Sequence, residues 1–356
     1  MIVYKITSEN DPLVEEIDRN VPRLLLNATK GSSGRVGVIG GSITYTGAPY
    51  FSGISALRTG ADLAYVFTSH HSSNVIKSYC PEFIVFPLLE DPNFVDALNE
   101  RLSAFSSLII GPGLGRPGEV LTLEVFTKII ETLKQKKFPV VIDADALYFL
   151  SKNPTIIQGY REAILTPNYR EYKRLHAAVF GKEYPEIPEV EDADIRALAK
   201  KLGRVTILCK NLNEKISDGS TIVVNSMTLT PRRCGGQGDI MCGIMSTFTH
   251  WMHQARKARP DSPTPQLPQT PQNVVQPPKA DICKEPKEKS SSTGPVIPSK
   301  MPPTILAALA ASILTRKSAK LAFIKHQRGT LAANIIDEIP QAFNATFPKA
   351  NAWTWN

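Results

Sequence analysis

Short apolar runs rich in β-branched residues recur along the chain, and the stretches between them carry apolar positions at helical spacing. Val36–Ile39, Ala64–Phe67, Phe83–Phe86, Leu108–Ile110, Val140–Ile142, Ala163–Leu165 and Val205–Leu208 predict strands. They are apolar throughout instead of alternating, which is how strands buried on both faces read. Such strands separated by helices predict an α/β fold, three layers deep, around a mainly parallel sheet. After Leu208 the rhythm changes. Lys215–Ser217, the turn residues Asp218-Gly219 and then Thr221–Val224 predict a tight hairpin, giving the sheet an antiparallel edge. Ile305–Phe347 is helical by pattern and alanine-rich, and is expected to pack back onto the sheet.

Residues 255–302 break this pattern. They hold eleven of the chain's 28 prolines, a Ser290-Ser291-Ser292 run and hardly any aromatic side chain. A segment of that composition cannot bury enough apolar surface to order itself. The expected organisation is an N-terminal extension (1–20), one catalytic domain (20–347) interrupted by the insertion, and a short tail (348–356). Apolar content of 42% and charged content of 21% are ordinary for a globular protein. No apolar run approaches the length needed to span a bilayer. The first twenty residues carry Glu9, Asp11, Glu15, Glu16 and Asp18, unlike a secretion or transit signal. Five cysteines, odd in number and without CxxC spacing, point to a reducing compartment, so a cytoplasmic location is expected. The net charge of +8 suggests nucleic acid at first sight. About half of the excess lies in 255–302, however, and no basic-aromatic stacking motif accompanies it. Neither nucleic acid nor membrane is an expected partner.

The most informative chemistry lies at Cys234-Gly235-Gly236-Gln237-Gly238-Asp239, just before a helical run. Three glycines in four positions clear a turn of side chains, so several backbone N–H groups can converge on one anion. The helix behind aims its positive end at the same point. Asp239, in the first turn, would repel an anion there unless it served as a base for a hydroxyl about to attack phosphorus. The alternative is a plain glycine-rich turn with Asp239 at a helix start.

Open α/β sheets bind ligands beyond the carboxyl ends of their strands. The residues there are Gly40-Gly41-Ser42, Gly111-Pro112-Gly113-Leu114-Gly115, Asp143-Ala144-Asp145, Thr166-Pro167-Asn168 and Lys210-Asn211. None of the glycine clusters matches the dinucleotide fingerprint GxGxxG. Asp143 and Asp145 suit Mg²⁺ or its waters, and Asp145 equally suits capping of the next helix. Asn168 and Glu171 have capping-box spacing and could equally orient a hydroxyl, a phosphate or metal-bound water. His250 and His253 share a helix face, without a third metal ligand near in sequence. Arg232 and Arg233 could pair with phosphates.

Taken in order, these strings resemble the ATP- or ADP-dependent NAD(P)H-hydrate dehydratases. Gly40–Pro49 with Arg58–Leu63 looks like the family's first signature, and Gly111–Gly115, Asp143–Leu147 and Thr166–Glu171 look like later blocks. Arg232–Asp239 resembles the last signature in its eukaryotic, ATP-using form. The likeness runs over about 20–253 and resumes near 303–345. It implies a ribokinase-like fold and ATP-driven dehydration of (6S)-NADHX or (6S)-NADPHX to NADH or NADPH, with Mg²⁺ required and ADP and phosphate released. It further implies Asp239 as base, with the amides of Gly236, Gln237 and Gly238 holding the phosphoryl group. Gly113, Asp239 and the segment Asn168, Tyr169, Arg170, Glu171, Tyr172, Lys173 and Arg174 would bind the hydrate. Lys210, Asn211, Leu212, Asn213 and Glu214, together with Thr230, Pro231, Arg232, Arg233, Cys234, Gly235, Gly236, Gln237 and Gly238, would bind ATP. The metal ligands stay open among Asp143, Asp145 and Glu171, acting through water. A homo-oligomer is also open, since relatives with this fold often assemble.

Two departures from the family stand out. The usual Lys-Gly followed three residues later by Asp becomes Lys210-Asn211 and Glu214. Asn211 gives up glycine's backbone freedom, although Asn is the best substitute where φ is positive. The other departure is the insertion at 255–302, which lies outside every motif. The rival expectations are a kinase of the same fold, which leaves phosphate on its product, and a nucleotide-binding protein without turnover.

Overall fold

The computed structural model describes residues 3–228, 230–258 and 301–350. The N-terminal half runs β1 (Val3–Ile6), α1 (Pro12–Asn20), β2 (Arg35–Ile39), α2 (Gly47–Thr59), β3 (Leu63–Phe67), α3 (His70–Tyr79), β4 (Phe83–Phe86), α4 (Phe94–Arg101) and β5 (Ser107–Ile110). Next come α5 (Leu123–Gln135), β6 (Val140–Ile142), α6 (Asp145–Lys152), β7 (Ala163–Leu165), α7 (Tyr169–Phe180) and α8 (Asp192–Lys201). The chain continues through β8 (Thr206–Cys209), β9 (Glu214–Ser217), β10 (Ile222–Asn225), α9 (Gln237–Lys257), α10 (Pro303–His326) and α11 (Ala332–Thr346).

The strands form one sheet in the order β1-β10-β9-β8-β7-β6-β5-β2-β3-β4. Only β9 runs against the rest, pairing antiparallel with both β8 and β10. The hairpin is therefore as expected, but the outermost place at this edge belongs to β1, which pairs parallel with β10. Residues 3–20 are thus part of the fold: β1 completes the sheet, and Leu13, Val14 and Ile17 of α1 are buried in the core.

Alternate strand residues separate into two cores, as the two-residue period of a strand requires. Ile109, Val141 and Ile164 face one layer, built from α1, α2, α9, α10 and α11. Leu108, Ile110, Val140 and Ile142 face the other, built from α4 to α8. α9 lies deep in the first layer, with Ile240 to Thr249 all buried. Gly243 lets α2 approach it closely, because a Cβ there would stand 2.1 Å from the Ser52 carbonyl oxygen. The expected helical end of the chain divides into α10 and α11. α9 itself continues through Lys257, into the stretch read from sequence as low-complexity. The rest of that stretch, 259–300, lies outside the described residues, as does the tail beyond Ala350.

Candidate active site

Three neighbouring strands each end in a polar residue. Asp143, Thr166 and Lys210 are the first residues past β6, β7 and β8. Adjacency in the sheet brings them together although they are far apart in sequence. The Lys210 ammonium donates to Asp143 Oδ1 at 2.6 Å, and the Thr166 hydroxyl donates to the same oxygen at 2.7 Å. The Cys242 thiol, from α9, donates to Asp143 Oδ2 at 3.2 Å. Asp143 is only 2% exposed. Burial alone would raise its pKa, but the Lys210 charge and the bonds from Lys210, Thr166 and Cys242 outweigh that, and it lies below the ordinary carboxylate value. Lys210 shows the converse balance. Burial works against its charge, yet Asp143 and Glu171 hold its pKa above the usual lysine value.

The start of α9 closes over this pair. Gly236 caps the helix at φ 91°, where a Cβ would lie 2.9 Å from both Phe51 and Ala332. The first intrahelical bond at this end runs from Ile240 N to Gly236 O, so the amides of Gln237, Gly238 and Asp239 have no acceptor within the helix. They supply a ready anion site. A Cβ on Gly238 would stand 3.3 Å from Lys210 Nζ, which places the ammonium directly behind that turn. Asp239 is half-buried beside it. Burial first, and then the Asp143 charge, push its pKa up to about 8, with Lys210 opposing. The site therefore unites helix amides, a fixed cation and a carboxyl group poised to exchange protons near neutrality.

A cleft of about 320 Å³ runs from this turn along α10. Lys210, Arg232, Arg233, Cys234, Gln237 and Gly238 line one end, while Met241, Thr315, Arg316 and Ala319 line the other.

Comparison with known proteins gives this arrangement a family. The family model described as NAD(P)H-hydrate dehydratase matches residues 36–260. An ATP-dependent (S)-NAD(P)H-hydrate dehydratase of Ciona intestinalis is 40% identical over 98% of this chain and 86% of its own. The Danio rerio protein of the same name is 36% identical over 96% and 91%. The chain belongs to the NAD(P)H-hydrate dehydratase family. Among solved structures, a ribokinase-like superfamily protein of Enterococcus faecalis superposes with a TM-score of 0.69 at 20% identity, covering 97% of this chain and 96% of its own. The ADP/ATP-dependent NAD(P)H-hydrate dehydratase of Bacillus subtilis, co-crystallised with ATP/Mg²⁺, gives 0.62 at 17% identity over 94% and 97%. At those identities the likeness shows the ribokinase-like fold.

Within this family frame the residues read from sequence divide. Thr230 and Glu214 also line the cleft, whereas Pro231 and Gly235 are exposed beside it. Asn211 spends its side chain on its own loop, accepting from Leu212 N at 2.9 Å, and its φ is not positive. No left-handed residue is needed there. Leu212 is 58% exposed, and Asn213 is half-buried. Glu214 is buried against Arg316, which also binds the carbonyls of Leu212 and Met227. It therefore latches the loop to α10.

Asn168 and Glu171 form a full capping box, with Asn168 Oδ1 accepting from Glu171 N at 3.0 Å and Glu171 Oε2 from Asn168 N at 2.8 Å. Gly113 lies under the 42–48 loop, where a Cβ would meet the Tyr45 carbonyl oxygen at 2.8 Å. Tyr169 uses its hydroxyl to bind Pro185 O and Ile187 N, and Lys173 pairs with Glu186, while Arg170 is exposed. Tyr172 is a correction. It is fully buried against Tyr184 and cannot touch a ligand, because α7 turns that position, with Leu175 and His176, toward the core.

Asp145 does not cap α6. It accepts from Gly115 N at 2.9 Å and pairs with Arg116 at 3.4 Å. Between it and Asp143, Ala144 is held at φ 49°, strain of a kind that collects at functional sites. His250 lies 3.5 Å from Ser32 O, while His253 bonds its own helix at Thr249 O. Among the described residues no group of three His, Cys, Asp or Glu side chains could hold a metal, and no helix is long and apolar enough to cross a membrane. Met241, Thr315, Arg316 and Ala319 were absent from the sequence reading. A lone arginine inside an alanine-rich buried helix was the one available signal.

Proposed function

We propose that the chain is an ATP-dependent dehydratase that restores (6S)-NADHX and (6S)-NADPHX to NADH and NADPH. The observation that carries the reading is the juxtaposition of Asp239 with the Gln237 and Gly238 amides at the helix start and the buried Lys210–Asp143 pair. Hydroxide is a poor leaving group, so direct loss of water from the hydrated ring is slow. Asp239 takes the proton from the ring hydroxyl as its oxygen attacks the γ-phosphorus of ATP, and ADP departs. The amides of Gln237 and Gly238 and the Lys210 ammonium hold the charge that gathers on the phosphoryl oxygens. The ring nitrogen then drives out the phosphate, the carbon–oxygen bond breaks, and loss of a ring proton restores the dihydronicotinamide. Neither Lys210 nor Asp143 changes protonation, since each holds the other in its charged form.

Mg²⁺, when bound with ATP, would supply charge neutralisation at the phosphates. The oxygens of Asp143 and Asp145 are already engaged. Glu171 fits better. It is half-buried, burial pushes its pKa upward, and only one of its oxygens is used, in the capping box. It would hold the metal through water.

The test is absorbance at 340 nm after mixing protein, (6S)-NADHX, ATP and Mg²⁺, with phosphate measured in parallel. A rise that requires ATP and releases one phosphate per NADH formed supports the reading. A stable phosphorylated product with no rise would instead make the chain a kinase.

A further inference from the structure

Outside the lining of the ATP cleft, one aromatic ring collects three cations. Tyr148 of α6 is half-buried, and its ring centroid lies 4.4 Å from the Arg116 guanidinium carbon, 4.8 Å from Lys152 Nζ and 5.0 Å from the Arg174 guanidinium carbon. Like charges gathered on one ring repel, and the ring returns only about 0.5–1 kcal/mol to each at an exposed site. The carboxylates nearby balance them only in part, the Glu171 charge acting on Arg174 through space. Asp145 reaches only Arg116 and shares its other oxygen with Gly115 N, and Glu119 is bound to the Arg116 amide. Lys152 and Arg174 make no ion pair among the described residues. None of the four side chains lines the ATP cleft.

The cluster is instead continuous with the two segments assigned to the hydrate. Arg116 follows Gly113 by three residues, and Arg174 ends the segment that begins at Asn168. A dinucleotide whose nicotinamide ring reaches Asp239 must place its adenosine end elsewhere. Two arginines and a lysine around a flat ring suit a phosphomonoester beside a stacked base, because guanidinium groups bind phosphate in pairs and stack on planar rings. We infer that Tyr148, Arg116 and Lys152, with Arg174, form a subsite for the adenosine 2′-phosphate, so that the enzyme prefers (6S)-NADPHX to (6S)-NADHX. The inference rests on the dehydratase reading for its substrate, but the phosphate subsite can be tested without turnover.

Two measurements on the full chain decide it. With the ATP cleft saturated by a non-hydrolysable ATP analogue, calorimetry compares 2′,5′-ADP with 5′-AMP. Wild type binds 2′,5′-ADP at least tenfold tighter, and both Arg116→Gln and Lys152→Gln remove most of that margin. The Lys152 side chain makes no hydrogen bond among the described residues and is exposed, so its substitution leaves the fold intact. In turnover, each substitution lowers the NADPHX-to-NADHX ratio of kcat/KM about tenfold through KM, while the KM for ATP is unchanged. Equal binding of the two probes by wild type, or ratios within twofold of wild type in both variants, overturns the subsite. Tight 2′,5′-ADP binding by a wild type that turns over neither hydrate upholds the subsite and sinks the dehydratase reading instead.

Discussion

The pH dependence of turnover follows directly from the charges around Asp239. Its carboxyl is raised to about 8, by burial first and by Asp143 second. The sign is that of a group whose proton is held more tightly in the folded protein, so the base form is lost as pH falls through about 8. At pH 7 roughly one tenth of the free enzyme then carries the ionised base. With (6S)-NADHX as substrate, kcat/KM should rise about tenfold from pH 7 to 9 and level off, because this ratio reports the free enzyme. Lys210, held above the ordinary lysine value, stays cationic across the range and cannot supply that limb. Asp143→Asn removes a negative neighbour, so the limb should move to lower pH even as the rate falls. Asp239→Asn should lower kcat by a factor of about 10²–10⁴, the usual contribution of a general base, and abolish the limb. Initial rates at 340 nm in a constant-ionic-strength buffer series measure all three proteins. A wild-type profile flat from pH 6.5 to 9, or a limb that survives Asp239→Asn, would refute the assignment of the base and the electrostatic account behind it.

Two further substitutions test the frame around the site. Gly236→Ala forces a side chain onto φ 91° and into Phe51 and Ala332. The backbone costs about 1–2 kcal/mol and the contact about 1–3 kcal/mol, read as a lower urea midpoint with loss of turnover; an unchanged midpoint would mean that the turn is not as tight as described. Arg316→Met leaves Glu214 charged and buried without its partner, which should cost about 3–5 kcal/mol, whereas the double change with Glu214→Met should recover most of it. The KM for ATP should stay raised in the double variant, since the Leu212 and Met227 carbonyls lose their donor in both; recovery of KM along with stability would deny Arg316 a role in shaping the cleft.

Parallel strands buried on both faces read clearly because every position is apolar, and seven of the strands were legible for that reason. β1 was not. Val3 and Lys5 are exposed while Tyr4 and Ile6 are buried, and four alternating residues beside an acidic helix look like a polar extension. The glycine turn was legible because its chemistry is local, with Gly236, Gln237, Gly238 and Asp239 contiguous. Glu214 with Arg316 was not, since the partners lie 102 residues apart and α10 shows no amphipathic face to orient the arginine. Tyr172 shows the limit of carrying a motif across as a block: helical periodicity alone turns one residue in the middle of it into the core. Lys210 and Asp143 lie between these cases. Each was visible as a polar residue at a strand end, but only the sheet order makes them neighbours.

The same geometry shows where the chain leaves α9 and where it re-enters at α10. α9 starts at the site and runs toward the opposite, N-terminal ends of the strands, where Trp251 donates to Ser33 O just before β2. α10 begins at that same end of the strands, with Thr304 bonded to Thr206 at the start of β8, and returns to bring Thr315 and Arg316 to the cleft. Ala258 and Met301, which flank 259–300, therefore lie near the end of the molecule away from the chemistry. The two helices pack against each other along their length, and the closure entropy of a connection changes slowly with its length. Replacing 259–300 by a Gly/Ser linker of about a dozen residues should leave kcat and both KM values within about twofold and raise stability by about 1 kcal/mol. Steady-state kinetics and urea unfolding of the shortened protein measure this. A folded variant with a many-fold loss of kcat would show that the inserted residues act at the site, against everything the placement of α9 and α10 implies.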